Sequence, residues 1–118
     1  MIDLSTLFGL FDDEALVVKF LSLFQKEVPL LLVQLENNIL EKEQEKANIN
    51  AHTIKSQLKY LGATDAIKLA ESLEHACEPE AGYSVEKQLE TLEALKKEIT
   101  LVLLCTQNWL KGAKNVKP

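Results

Sequence analysis

Residues 51–63 read Ala51-His52-Thr53-Ile54-Lys55-Ser56-Gln57-Leu58-Lys59-Tyr60-Leu61-Gly62-Ala63. Taken as a helix at about 100° per residue, the stretch gathers Ala51, Ile54, Leu58 and Leu61 into an arc of about 80°, with His52, Lys55, Ser56 and Lys59 within about 100° on the other side. The first arc can bury. The second carries an imidazole, two ammonium groups and a small hydroxyl side chain into water. Gln57 and Tyr60 lie at its edge, where they either shape a docking surface or are merely solvated. Gly62 is a natural stop, because glycine takes the left-handed conformation that ends a helix.

That polar face has a chemical logic of its own. An exposed imidazole, with an ordinary pKa of about 6.5, is largely neutral at pH 7 and keeps one free lone pair, so it can act as a nucleophile. Lys55 and Lys59, three and seven positions after His52, attract an anionic group arriving at that nitrogen. The combination suits phosphate. It suits a metal badly, since the neighbours are cations rather than further ligands, and no metal site is expected.

The run His52-x-x-Lys55, a small residue at 56, then Leu61-Gly62-Ala63, Leu69-Ala70 and Leu73-Glu74 resembles the histidine-containing phosphotransfer (HPt) domains of multistep two-component phosphorelays. Upstream, Phe20, Phe24, Pro29, Leu32 and Leu35 fall where that family usually has apolar residues and a proline. The likeness spans most of the chain, and its specific part is residues 51–74. Two positions depart from the pattern: Ser56 stands where the family usually has glycine, and Gln57 where it tends to a small residue. Serine leaves room for a partner, but its hydroxyl is placed to bond back to the His52 carbonyl; the expected consequence is on the rate of transfer.

The whole chain is compatible with this. Its 118 residues make one domain, 1–118, with one core. Hydrophobic residues form 47%, with only 4 Gly and 3 Pro, which favours a helical protein over a sheet-rich one. A net charge of −5 argues against a nucleic-acid partner. No segment approaches the roughly 20 apolar residues that cross a bilayer, and the N-terminus lacks the pattern of a signal peptide, so a cytoplasmic protein without a membrane partner is expected. Cys77 and Cys105 have no matching spacing and read as reduced, part-buried core residues.

Along the chain, Leu4, Leu7, Phe8 and Phe11 mark a short amphipathic N-terminal helix, too short to be stable unless it docks. Asp12 or Asp13 caps the next helix, whose stripe runs from Val17 through Leu35, with Pro29 expected to kink it. Glu41 to Lys46 reads as a solvated helix end or turn. The central helix is expected to start near Lys46 or Ala47. Thr64 is the expected cap of a fourth helix, with a stripe through Ile67, Ala70, Leu73, Ala76 and Cys77, and residues 78–82 end it. Ser84 caps the last helix, which is apolar from Leu89 to Leu110; near its end Leu101, Leu104 and Trp109 widen the apolar surface, expected to receive the N-terminal helix. Residues 112–118 read as a loose tail. The layout is an all-α, up-and-down four-helix bundle with a short additional N-terminal helix, which is also the architecture the HPt resemblance implies.

His75 has no lysine in its next turn and reads as a surface residue; His75 and Cys77, about 200° apart on a helix, cannot share an ion. Neither a glycine-rich phosphate loop nor an acidic face suited to magnesium is present, so no autonomous kinase activity is expected. The resemblance implies that a response-regulator receiver domain brings a phospho-aspartate, with magnesium on that partner and no cofactor here. His52 attacks the phosphorus, Lys55 helped by Lys59 offsets charge on the equatorial oxygens, and Ser56, Gln57 and Tyr60 border the docking surface. The group then passes to a second receiver or returns. A hybrid sensor kinase stands upstream, and a free-standing monomer is expected. Two other readings remain open: a non-transferring adaptor that only binds receivers, and self-association through the surplus around Trp109.

Overall fold

The computed structural model of the chain describes residues 2–116. They form five helices: α1 (Ser5–Leu10), α2 (Glu14–Leu40), α3 (Gln44–Tyr60), α4 (Thr64–Ala76) and α5 (Val85–Val116). No strand occurs among the described residues. Local chemistry sets most of the boundaries. The Asp13 carboxylate accepts from Ala15 N at 2.9 Å and Glu14 sits in the first turn of α2, where both meet the positive end of the helix dipole. At the start of α5 the Ser84 hydroxyl accepts from Lys87 N at 3.1 Å.

Two helix ends use the same device with different residues. After α3, Gly62 takes φ +61, and Ala63 N and Gly62 N donate back to Leu58 O and Lys59 O. After α2 the left-handed position belongs to Lys42, at φ 59, with Glu43 N on Asn38 O and Lys42 N on Ile39 O. A non-glycine residue there carries no sequence signal of a stop. Because the turn is complete by residue 43, α3 begins at Gln44, earlier than the Lys46 or Ala47 its apolar pattern indicates.

Pro29 lies within α2, which runs continuously past it to Leu40, so a single helix spans the stripe as its apolar period indicates. Two further expectations are corrected. Thr64 is the first residue of α4 rather than its cap: Ala63 holds the cap position without a side-chain bond, and the Thr64 hydroxyl turns to Gly62 O at 3.4 Å. The tail expected from residue 112 is helical through Val116; residues 117 and 118 of it lie outside the described residues.

The apolar stripes meet in one core. Leu21, Phe24 and Leu35 of α2, Ile54 and Leu58 of α3, Leu73 of α4 and Leu92, Leu95 and Ile99 of α5 are all 2% exposed or less. Each such side chain contributes about 1.5–3 kcal/mol by leaving water. Helix α2 packs on α3, α3 on α4, α4 on α5, and α5 back on α2. Buried polar groups are paired: Thr106 and the Gln25 amide meet at 3.0 Å between α5 and α2, and the Gln88 amide donates to Ala76 O at 2.9 Å. Cys77 is buried and Cys105 half-buried, both free. Burial pushes the Cys77 thiol up to about 11, which leaves it inert.

Helix α1 buries Leu7 and brings Phe8 edge-on to Trp109, centroids 6.0 Å apart. The widened surface of α5 thus receives the N-terminal helix, but only in part: Leu101 and Leu104 stay 52% and 54% exposed. No helix among the described residues is long and apolar enough to cross a membrane.

Candidate functional site

Helix α3 enters the core through Ala47, Ala51, Ile54 and Leu58, which fixes its rotation and turns His52 outward. The His52 side chain is 58% exposed. Its Nδ1 lies 2.7 Å from Oε2 of Glu74 on α4. A carboxylate can only accept, so Nδ1 carries the proton and the Nε2 lone pair is left free toward solvent.

Glu74 is the residue whose part the sequence did not disclose. Leu73-Glu74 belongs to the motif read above, yet nothing in spacing along one helix says that this carboxylate, 22 residues on, reaches across to His52. It also takes Lys55: Nζ stands 2.6 Å from Glu74 Oε1, while Glu71 lies farther off at 4.0 Å. One carboxylate therefore bridges imidazole and ammonium. Lys55 is on the same side of α3 as His52, but its side chain is only 13% exposed and its charge is spent first on Glu74.

The electrostatics follow. Burial raises the Glu74 carboxyl, but hydrogen bonds from Lys55 and His52 and their charges outweigh it and hold the group below its ordinary value. The bond to Glu74 raises the Lys55 ammonium in turn, against a smaller opposing effect of burial. A depressed carboxylate contributes stability that is present above its unfolded value, 4.5, and is lost as pH falls through the lower folded value. A raised ammonium contributes below 10.5 and loses its part as pH climbs through the higher folded value. The stability advantage of wild type over Glu74→Gln is accordingly expected to be flat across neutral pH and to shrink in acid below 4.5, read as urea midpoints of the two proteins. An advantage that grows toward acid would contradict the pairing.

Of the other residues on this face, Lys59 is exposed in the last turn of α3, where a cation also suits the helix dipole. Ser56 and Gln57 are half-buried. Tyr60 is 40% exposed and rests edge-on against Phe20 of α2, centroids 5.5 Å apart. Among the described residues it is Thr53 rather than Ser56 whose hydroxyl bonds back along α3, to Ile49 O at 3.0 Å, so the Ser56 hydroxyl is not engaged as its position indicated. His75 stands apart, 62% exposed, 3.5 Å from Glu78 and edge-on to Tyr83 at 6.0 Å.

The described residues thus form an all-helical protein that holds an outward imidazole by one ring nitrogen, with lysines on the same face. The family model described as Hpt domain matches residues 19–103, and the chain belongs to that family. Membership brings phosphotransfer in two-component signalling, with receiver domains and kinases as the interacting class. No curated protein and no solved structure matches the chain.

Proposed function

We propose that this chain is a phosphorelay intermediate that accepts a phosphoryl group on His52 Nε2 from a receiver-domain aspartate and passes it to another. The observation that carries the reading is the ring itself: more than half exposed, pinned through Nδ1 by Glu74 at 2.7 Å. Nε2 attacks the phosphorus in line; the N–P bond forms as the P–O bond to the aspartyl carboxylate breaks. The imidazole gains positive charge as it does so, and Glu74 meets that charge without having to move. Bundle packing supplies the rest, since a loose phosphoryl transfer asks mainly for positioning.

Lys55 and Lys59 are the cations we assign to the equatorial oxygens, Lys59 free to swing in and Lys55 after easing its hold on Glu74. Ser56, Gln57 and Tyr60 border the receiver. The metal ion of the reaction is expected on that partner as magnesium, with a hybrid sensor kinase upstream. We also infer an up-and-down order for α2–α5, a monomer and a cytoplasmic location, which suit exchange between soluble receivers.

The test is transfer from a panel of phosphorylated receiver domains. Label is expected to move to this chain from at least one of them, and to return to receiver on dilution into unphosphorylated partner. Tight receiver binding with no label on the chain would replace the carrier by the adaptor. Glu74→Ala is expected to slow uptake about 10- to 100-fold, the worth of a hydrogen bond to a charged group, with binding unchanged.

A further inference from the structure

The last carbonyls of a helix have no partner within it. At the end of α4, Cys77 N returns to Leu73 O and Glu78 N to His75 O. The carbonyls of Glu74 and Ala76 take side-chain amides from neighbouring helices instead: Asn48 Nδ2 of α3 at 2.7 Å and Gln88 Nε2 of α5 at 2.9 Å. Asn48 is one turn before His52 on the same helix, and its side chain is half-buried. Glu74 is thus gripped twice from α3, at its backbone by Asn48 and at its carboxylate by His52 and Lys55.

We propose that Asn48 is a positioning residue for phosphoryl transfer at His52, fixing the end of α4 so that the Glu74 carboxylate stands level with the imidazole. The inference deepens the carrier reading and rests on it for its consequence in the relay. Without the Asn48 donor, the last turn of α4 loses its backbone anchor on α3. The carboxylate is then free to follow Lys55 or water, and Nδ1 no longer has a fixed acceptor. The ring samples both tautomers, and Nε2 bears the lone pair only part of the time. The effect differs from a general loosening because it reaches a particular nitrogen.

The experiment uses the full chain labelled with 15N-histidine, with phosphoramidate as the phosphoryl donor so that no receiver is needed. In that reaction the N–P bond to Nε2 forms, the P–N bond of phosphoramidate breaks, and ammonia leaves. Wild type is expected to show a proton-bearing Nδ1 and a bare Nε2. Asn48→Ala and the isosteric Asn48→Asp, which cannot donate, are expected to draw the two ring-nitrogen shifts together and to slow His52 phosphorylation about 3- to 10-fold. Asn50→Ala, which removes the 2.6 Å amide bond from α3 to Asn38 of α2, is expected to leave both readouts at wild type. Ring nitrogens unchanged in both Asn48 variants, or moved as far by Asn50→Ala, would overturn the proposal. A wild-type chain that phosphoramidate labels but no receiver does would defeat the carrier reading, while shifted ring nitrogens in Asn48→Ala would still uphold the lock.

Discussion

In the receiver transfer assay, His52→Gln is expected to take up no label at all, whereas His75→Gln takes it up at the wild-type rate. Both side chains are about equally exposed, 58% and 62%, so access alone does not separate them. What separates them is what stands around each ring. His52 has its Nδ1 at 2.7 Å from a half-buried carboxylate that a lysine holds in place, with Lys59 exposed further along the same face. His75 has a looser contact of 3.5 Å to the exposed Glu78, and the exposed Glu71 one turn earlier on its own helix adds a second carboxylate, with no lysine on α4 in the turn that follows to draw in a phosphoryl donor. Glutamine at 52 keeps an amide that can still bond Glu74, so the fold is expected to stay within about 0.5 kcal/mol of wild type. It offers no ring nitrogen, and the loss is therefore chemical. Label on His52→Gln that disappears in His75→Gln would move the site to α4.

The difference between those two histidines was half legible in the sequence. The rotation of α3 followed from Ala51, Ile54, Leu58 and Leu61, because an apolar period reports which way a helix must face once anything packs on it. That put His52 outward without coordinates. Glu74 was not legible in the same way: a contact between side chains on two helices depends on their relative height, which the period of either helix leaves open. The lysines show the cost of that gap. Along α3 alone, Lys55 reads as a free cation beside the imidazole, and only the α4 carboxylate opposite reveals that its first partner is Glu74.

The boundaries divide along a similar line. Asp13 and Ser84 act as caps because their side chains bond backbone groups two or three residues on, a local matter. Lys42 closes α2 in a conformation that lysine has no intrinsic preference for, with Glu43 N on Asn38 O and Lys42 N on Ile39 O closing the turn around it. Thr64 was displaced from the cap position for the converse reason: the left-handed turn at Gly62 brings Ala63 to the cap and starts α4 one residue earlier. Residues 112–116 look like a tail by composition, yet they continue a helix already 27 residues long when it reaches Gly112; extension of an existing helix does not bear the cost of nucleation.

Gly62→Ala is expected to destabilise the protein by about 2–4 kcal/mol, far more than its one methyl group suggests. Two separate costs fall on the same atom. At φ +61 an L-residue is strained by about 1–2 kcal/mol. A Cβ built there would also lie 2.9 Å from Asp3 Cβ and 3.0 Å from Asp3 O, closer than the N-terminal segment can tolerate without moving. That segment is held by Asp3 N donating to Leu61 O at 2.7 Å, and losing the bond removes about 0.5–1.5 kcal/mol more. The Asp3 carboxylate accepts from Ser5 N at 2.9 Å, so displacing Asp3 also disturbs the start of α1 and the seating of Leu7. Gly9 provides the contrast: it lies within α1 with nothing within 4 Å of a built Cβ, and Gly9→Ala is expected to stabilise by about 0.5–1 kcal/mol through the helix propensity of alanine. Urea unfolding of the two variants beside wild type reads both effects. Gly62→Ala within about 0.5 kcal/mol of wild type would mean that the turn relaxes and that the N-terminal segment is not bound to the end of α3.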